Sequence, residues 1–474
     1  MDLTRMTIKQ AHYGLENKDF TCLELVDGFL RKIKKRNKNI NAFITIDEDG
    51  ALQAAENVDA KIRHGQPVGL LEGVPVAIKD NILVKGLKAT AGSKILEYYV
   101  APYDATAIER LKKAGVIILG KTNMDEFALG GSGESSYFGA TKNPCDEKRV
   151  PGGSSSGSAA AVADFQCVAG LGSDTGGSVR QPAGFCGVTG LKPTYGRVSR
   201  HGLIAMASSF DQIGPIARNV EDAEILFNEI SGTDNFDSTV NDFSKKIKKK
   251  NEITIGVPKE YFVAGMDVEV EQKIKEAIAV MKESGFNIKE ISLPHADLAL
   301  AVYYILMPAE VSSNLARFDG VKYGFRAEAG NLLEQYLWTR SIGFGDEAKR
   351  RIMLGTFVLS AGYQDAYYKK AQKARRLIKN DFDAAFKEVD AILTPTSPTP
   401  AFKLGEKFND PLTMYLADIF TVSANVAGIP AMSIPAGKTK AGLPIGLQIM
   451  ANYFNEDLIF SIAKKFEREN GYVN

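Results

Sequence analysis

Two serines in glycine-rich settings, Ser154 and Ser178, follow a lysine, Lys79, that closes an apolar run. The segments read Gly73-Val-Pro-Val-Ala-Ile-Lys-Asp80, Gly152-Gly-Ser-Ser-Ser-Gly-Ser158 and Gly172-Ser-Asp-Thr-Gly-Gly-Ser-Val-Arg180. Lys79 has no charged neighbour until Asp80, and burial behind Val74–Ile78 would disfavour its ammonium form and lower its pKa. A neutral amine can take a proton near pH 7, and serine–lysine pairs are a known substitute for serine–histidine pairs. The chain has only four histidines. Two of them, His201 and His295, lie downstream of the serines, and neither has an evident catalytic setting. Nucleophilic attack by a serine, with lysine as base, is the chemistry these residues allow. The bland reading is a lysine that snorkels to solvent from a strand end.

The serine loops also have two readings each. Gly153-Ser-Ser-Ser-Gly157 has the composition of a flexible linker and formally fits the G-x-S-x-G elbow. It runs into Ala159-Ala-Ala-Val-Ala163, a strong helix former, which argues for an ordered loop at a helix start. The Gly-Lys-[Ser/Thr] ending of a phosphate-binding loop is missing. In Asp174-Thr-Gly-Gly-Ser178, two glycines precede a hydroxyl, and the N–H groups of Thr175, Gly176 and Gly177 can converge on one point. Such a cluster would hold the oxyanion of an acyl-transfer intermediate, each preorganised donor contributing about 3 kcal/mol. A tight turn after a buried strand is the alternative.

The elements that must position these residues can be read coarsely. Residues 1–60 look helical, with Thr21-Cys-Leu-Glu24 as a capping box before the periodic Leu23, Leu25, Val26, Phe29, Leu30 and Ile33. The basic run Arg31–Arg36 reads as a solvated last turn. From residue 70 to about 215, short apolar runs such as Val74–Ile78 and Val116–Leu119 alternate with glycine turns and with helical stretches at Ala105–Ala114 and Ser158–Phe165. That pattern predicts strands covered on both faces in an α/β core. Ser231–Asn251, ending in a lysine run, reads as an exposed connection. Strands are expected at Ile253–Val257, Ala391–Thr394, Ala431–Ile434 and Ile445–Met450. Helices are expected over 268–284, most of 295–388 and Asp457–Glu469. The strands at both ends should share one sheet. The boundaries follow as one domain, 1–474: a helical N-terminal segment (1–65), a core (66–220), a mainly helical elaboration (221–390), and returning strands with a closing helix (391–474).

Bulk properties narrow the function. Of 474 residues, 45% are hydrophobic and 24% charged, enough to bury a large core. A net charge of +1 gives no bulk drive toward nucleic acid or anionic membrane. Cys22, Cys145, Cys167 and Cys186 show no C-x-x-C pairing and read as reduced thiols, as expected of a cytoplasmic protein. No apolar run approaching 18 residues is evident, so no membrane partner is expected.

Taken together, Lys79 and the tract from Pro151 to Gly190 resemble the amidase signature family. The resemblance implies one large mixed β-sheet covered by helices on both faces. It implies a Ser–cis-Ser–Lys triad, with Ser178 as nucleophile, Ser154 as bridging serine after a cis peptide, and Lys79 as base. Met124-Asp-Glu-Phe-Ala128, Ser312–Gly320, Gly343–Arg351 and Asp410–Asp418 extend the likeness to that family's tRNA-dependent amidotransferase branch, across essentially the whole chain. That branch implies a cytoplasmic heterotrimer in which this chain hydrolyses glutamine. Two partner subunits, B and C, would use the ammonia. ATP-activated Glu-tRNA(Gln), and often Asp-tRNA(Asn), would be amidated on the first of these partners, making the whole an ATP-dependent ligase. ATP, Mg2+ and aminoacyl-tRNA would belong to the partner, with no metal or other cofactor here. The resemblance assigns Arg351 to the glutamine carboxylate and Asp418 to its amine, with Tyr304 or Tyr303 and Gly130 lining the pocket. Arg350 is the alternative to Arg351.

Three other functions stay open on the residues alone. A stand-alone amidase could use the same triad on small amides. A scaffold could bind an anion in its serine loops. A histidine-dependent hydrolase would call on His201 or His295.

Overall fold

Eleven strands among the described residues form a single mixed sheet. They are β1 (Phe43–Ile46), β2 (Pro75–Lys79), β3 (Ile117–Thr122), β4 (Ala169–Asp174), β5 (Thr189–Lys192) and β6 (Gln212–Ala217), then β7 (Thr254–Pro258), β8 (Asn287–Ile291), β9 (Ala391–Pro395), β10 (Ala431–Lys438) and β11 (Pro444–Ala451). Their order is β1-β3-β2-β4-β6-β5-β10-β11-β9-β7-β8. The computed structural model describes residues 2–241, 252–262, 265–408 and 410–471.

The apolar runs that carry Lys79 and its neighbours become the centre of the sheet. β2 lies parallel to β3 and β4, and all three strands are buried at every residue. Continuous apolar runs of this kind belong in sheets covered on both faces. The helix Ser156–Ala163 packs over β2, β3, β4 and β6. The helix Arg180–Cys186 packs over β5, β10 and β11, so the strands from the end of the chain complete the sheet begun near its start. In open α/β sheets the carboxyl ends of parallel strands are where ligands bind, and Lys79 and Asp174 end β2 and β4.

Several expectations change against the structure. Residues 1–60 are not all helical, because β1 pairs with β3 and interrupts the helices. The Thr21–Glu24 capping box is present, but its helix runs on from Cys22 to Ile40. The basic run Arg31–Arg36 is therefore mid-helix, and Arg36 pairs with Asp164 and Glu147. Leu23 is exposed, while Leu25, Val26, Phe29, Leu30 and Ile33 are core. Strands β5, β6 and β8 had no clear signal in the sequence. The Ser231–Asn251 connection is not loose where it is described. Asp237 is buried and paired with Arg200, and Arg110 donates to the carbonyls of Ser231 and Thr233. Its lysine run, Lys245–Lys250, lies outside the described residues.

In the middle of the chain, helices Ala299–Asn314, Asp346–Leu359 and Lys370–Ala385 pack on one another beside the short helix Val422–Ala427. The stretch Ala296–Arg317 is, contrary to expectation, long and apolar enough to cross a membrane by length and composition, and half of its most apolar window is buried inside the structure. That burial is against the neighbouring helices, and the helix delivers Tyr303 and Tyr304 to a cavity.

Candidate active site

The Lys79 ammonium site is fully enclosed. Its Nζ lies 2.7 Å from Ser154 Oγ, 2.9 Å from Ser155 Oγ, 2.9 Å from Ser173 Oγ and 3.2 Å from the Ser173 carbonyl. Burial drives its pKa down to about 7, against the opposing pull of the buried carboxylates Asp125, Asp174 and Asp211. Near neutrality the amine is therefore substantially uncharged, with two N–H donors and one lone pair. Ser155 Oγ gives its own hydrogen to the Ser173 carbonyl at 3.1 Å, so toward Lys79 it accepts. The Ser173 carbonyl can only accept. The lone pair is left to face a hydroxyl, and Ser154 Oγ is the shortest contact.

The backbone sets this up. Lys79 ends β2, Ser173 is the penultimate residue of the adjacent β4, and the two strands run parallel. Ser154 follows a cis peptide bond after Gly153, as the resemblance implied. Gln181 accepts from the Gly153 N–H at 2.9 Å and donates to the Gly131 carbonyl at 2.8 Å, clamping the glycine–serine loop to the 130–131 loop. The Ser178 carbonyl accepts from the Ser155 N–H at 3.1 Å, tying the two serine loops together. Among the described residues, no hydrogen bond joins the Ser154 and Ser178 hydroxyls. Catalytic contacts of this kind commonly close only around substrate.

Asp174 organises the second loop. Burial alone would raise its pKa, but the Arg180 guanidinium, bonded to both its oxygens at 3.0 Å, holds it well below the carboxylate range. Arg180 is fully buried and also donates to Gln448, Asn425 and the Thr421 carbonyl. Asp174 in turn accepts from the N–H groups of Gly177, at 2.9 Å, and Val179. This corrects one expectation: the Gly177 N–H is taken up by Asp174, leaving Thr175 and Gly176 as the candidate oxyanion donors. Thr175 is fixed by its hydroxyl, which donates to Asp211 at 2.7 Å. Burial raises the Asp211 pKa to about 6.

Ser178 opens onto a cavity of about 420 Å³ that Gly130, Gly176, Tyr303, Tyr304, Arg350, Arg351 and Asp418 also line. Lys79 and Ser154 lie behind it, fully buried. The cavity distinguishes the two arginines. The Arg350 side chain is 43% exposed, whereas that of Arg351 is 4% exposed. Arg351 lies over the rings of Tyr304 and Tyr415, at 4.6 and 4.2 Å from their centroids. Its Nε donates to Glu347 at 2.6 Å, and its buried Nη1 has no hydrogen-bond partner. An unpaired guanidinium nitrogen in a closed cavity invites an anionic acceptor. Asp418 meets the Tyr304 hydroxyl at 3.5 Å. Burial, reinforced by Asp174, raises its pKa to about 8, against Arg180 and Arg351. Both tyrosines are present. Tyr304 stacks on Tyr415, while Tyr303 packs on Gly176.

Among the described residues, no histidine lines the cavity. His201 is stacked between Tyr103 and Phe236, and His295 bonds Asp381. The arrangement supplies a buried base, two hydroxyls, backbone donors and a cation facing an acid across one cavity. Glu347, Tyr415, Asp211, Ser155 and Ser173 escaped the sequence reading. Glu347 alone had a legible signal there, since it precedes Arg351 by one helical turn.

Comparison with known proteins gives consistent matches. The family model described as Amidase matches residues 24–460. The chain is 53% identical over 475 residues to the A subunit of the glutamyl-tRNA(Gln) amidotransferase of Syntrophus aciditrophicus (strain SB), covering 99% of this chain and 98% of that relative. It is 41% identical to the crystal structure of the protein of the same name from Thermotoga maritima, with a TM-score of 0.80 over 99% of this chain and 95% of that one. The peptide amidase of Stenotrophomonas maltophilia is also similar, at 28% identity and a TM-score of 0.82, covering 99% of this chain and 98% of that one.

Proposed function

The chain belongs to the amidase family, and on that premise we propose that it is the glutamine-hydrolysing subunit of a tRNA-dependent amidotransferase. Neutral Lys79 draws a proton through Ser154 as Ser178 attacks the glutamine carboxamide. The N–H groups of Thr175 and Gly176 hold the oxyanion. The same relay returns the proton to the leaving nitrogen, so ammonia departs and a γ-glutamyl ester remains on Ser178. Water, deprotonated by the same route, then releases glutamate. The chemistry draws on no metal or cofactor in this chain. ATP and Mg2+ serve the partner subunits, B and C, where the ammonia amidates Glu-tRNA(Gln) or Asp-tRNA(Asn).

What carries the glutamine reading is the pairing of a buried, unsatisfied Arg351 Nη1 with Asp418 in the cavity that holds Ser178. Free glutamine brings an α-carboxylate and an α-ammonium to the same carbon. A planar guanidinium suits the first, and a carboxylate the second. A site for simple amides would have no use for this pair, which disfavours the stand-alone amidase. A cavity lined without histidine disfavours the histidine hydrolase. Labelling with a glutamine-like electrophile, followed by peptide mapping, tests the proposal. The adduct is expected on Ser178 and should be lost in Ser178→Ala. An adduct elsewhere, or glutaminase activity retained in full by Ser178→Ala, refutes it and leaves the scaffold.

A further inference from the structure

Asp125 and Glu126 are consecutive, buried, and face opposite halves of the site. They open a segment whose backbone turns through left-handed conformations at Phe127 and Ala128, with φ of 49° and 63°. Non-glycine residues hold such conformations only where the surroundings impose them, and these cluster at functional sites. Asp125 faces the catalytic loop. It accepts from the Gly133 N–H at 2.9 Å and from the Ser135 hydroxyl at 2.8 Å, and its Oδ2 packs so closely on Gly153 that a Cβ there would lie 2.0 Å away.

Glu126 faces the binding helix. It accepts from the Ser93 hydroxyl at 2.5 Å, and its two oxygens accept from the Gly345 N–H at 2.9 and 3.1 Å. Gly345 is the N-cap of Asp346–Leu359 and has no side chain with which to cap it. A Cβ on Gly345 would lie 2.6 Å from Glu126 Oε2, so the close approach of the carboxyl requires glycine and replaces the missing cap. A carboxyl at that end of a helix takes up an orphan N–H and suits the dipole. The same helix carries Glu347, which holds Arg351 Nε, and Arg351 itself.

We propose that Glu126 is a positioning residue for recognition of the substrate carboxylate. It fixes the first turn of the Asp346–Leu359 helix, and through Glu347 the direction of the Arg351 guanidinium, against the catalytic loop that Asp125 braces. This rests on the assignment of Arg351 to the glutamine carboxylate.

The test compares glutamine with 4-aminobutanamide, the same amide without its carboxylate, as substrates of the full-length protein purified with its native partners. Glu126→Ala should raise KM for glutamine about tenfold, the equivalent of one lost helix cap, and keep kcat within about twofold. Its turnover of 4-aminobutanamide should be unchanged, which also certifies folding. Glu126→Gln keeps an acceptor for the Gly345 N–H and should restore most of the glutamine KM. Equal losses on both substrates, or an unchanged KM for glutamine, overturn the proposal. Arg351→Met, run in parallel, separates the two levels. If it keeps the preference for glutamine over 4-aminobutanamide, the carboxylate assignment itself falls. If it loses that preference while Glu126→Ala retains it, only the role of Glu126 falls.

Discussion

The pH dependence of glutamine hydrolysis is the sharpest consequence of the site, because two of its groups titrate near neutrality for one shared reason. Burial lowers Lys79 to about 7 and raises Asp418 to about 8. The base must be uncharged and the acid ionised, so both requirements favour higher pH. The quantity kcat/KM reports the free enzyme, whereas kcat reports the substrate complex. In the free enzyme at pH 6, about one-tenth of Lys79 is neutral and about one-hundredth of Asp418 is ionised, so kcat/KM should fall to about one-thousandth of its alkaline plateau. Bound glutamine places its ammonium against Asp418 and holds it ionised. The kcat profile should then show a single limb near pH 7 and a loss of about tenfold at pH 6. Initial rates of glutamate release from pH 5.5 to 9 at saturating and at low glutamine give both profiles. Asp418→Asn should remove the limb near 8 from kcat/KM and leave the limb near 7. A kcat that stays level from pH 6 to 8, or that falls as pH rises, would refute the neutral-lysine mechanism. A single limb in kcat/KM of the unmodified protein would refute the role given to Asp418.

The remaining perturbations separate recognition from scaffold. Arg351→Lys should raise KM for glutamine by roughly 1–2 kcal/mol in binding terms, because an ammonium cannot supply a planar fork, whereas Arg350→Lys, on the exposed side, should leave KM nearly unchanged; steady-state kinetics decides between them. Gly176→Ala should abolish acylation without unfolding the protein, since its Cβ would lie 2.7 Å from Tyr303 Cζ, and electrophile labelling of Ser178 would show it. Arg180→Met leaves Asp174 buried without its cation and should cost about 3–5 kcal/mol of stability, read as a lower midpoint in thermal or chemical unfolding together with lost activity. A stable, active Arg180→Met protein would show that Asp174 does not organise the oxyanion loop.

The core of this fold was legible where one physical pressure acted alone. Runs buried on both faces must be apolar throughout, so β2, β3, β9, β10 and β11 stood out within a few residues of their ends. Strands β5, β6 and β8 did not. Thr189-Gly-Leu-Lys192 and Gln212-Ile-Gly-Pro-Ile-Ala217 carry glycine, proline or charge, and they hold strand conformation because neighbours already in the sheet pair with them. Tertiary pairing of this kind leaves little trace in local propensity. β1 was hidden in the same way, as a four-residue edge between helices.

The site divides along a similar line. Lys79, Ser154 and Ser178 were readable because catalysis confines them to loops and strand ends of unusual composition. The recognition residues were not, because Arg351 and Asp418 look like ordinary helix-face charges until the fold encloses them. What makes Arg351 a binding group is its lack of freedom: two tyrosine rings and Glu347 take its faces and its Nε, leaving Nη1 alone unsatisfied. That constraint is assembled from residues 304, 347 and 415, which no local window contains together. The same holds for the oxyanion donors. Sequence offered three equivalent N–H groups at Thr175, Gly176 and Gly177, and the fold spends one of them on Asp174. Chemistry confined to a short segment can be read from its residue types. Chemistry that depends on which hydrogen bonds are already taken has to be read from the folded chain.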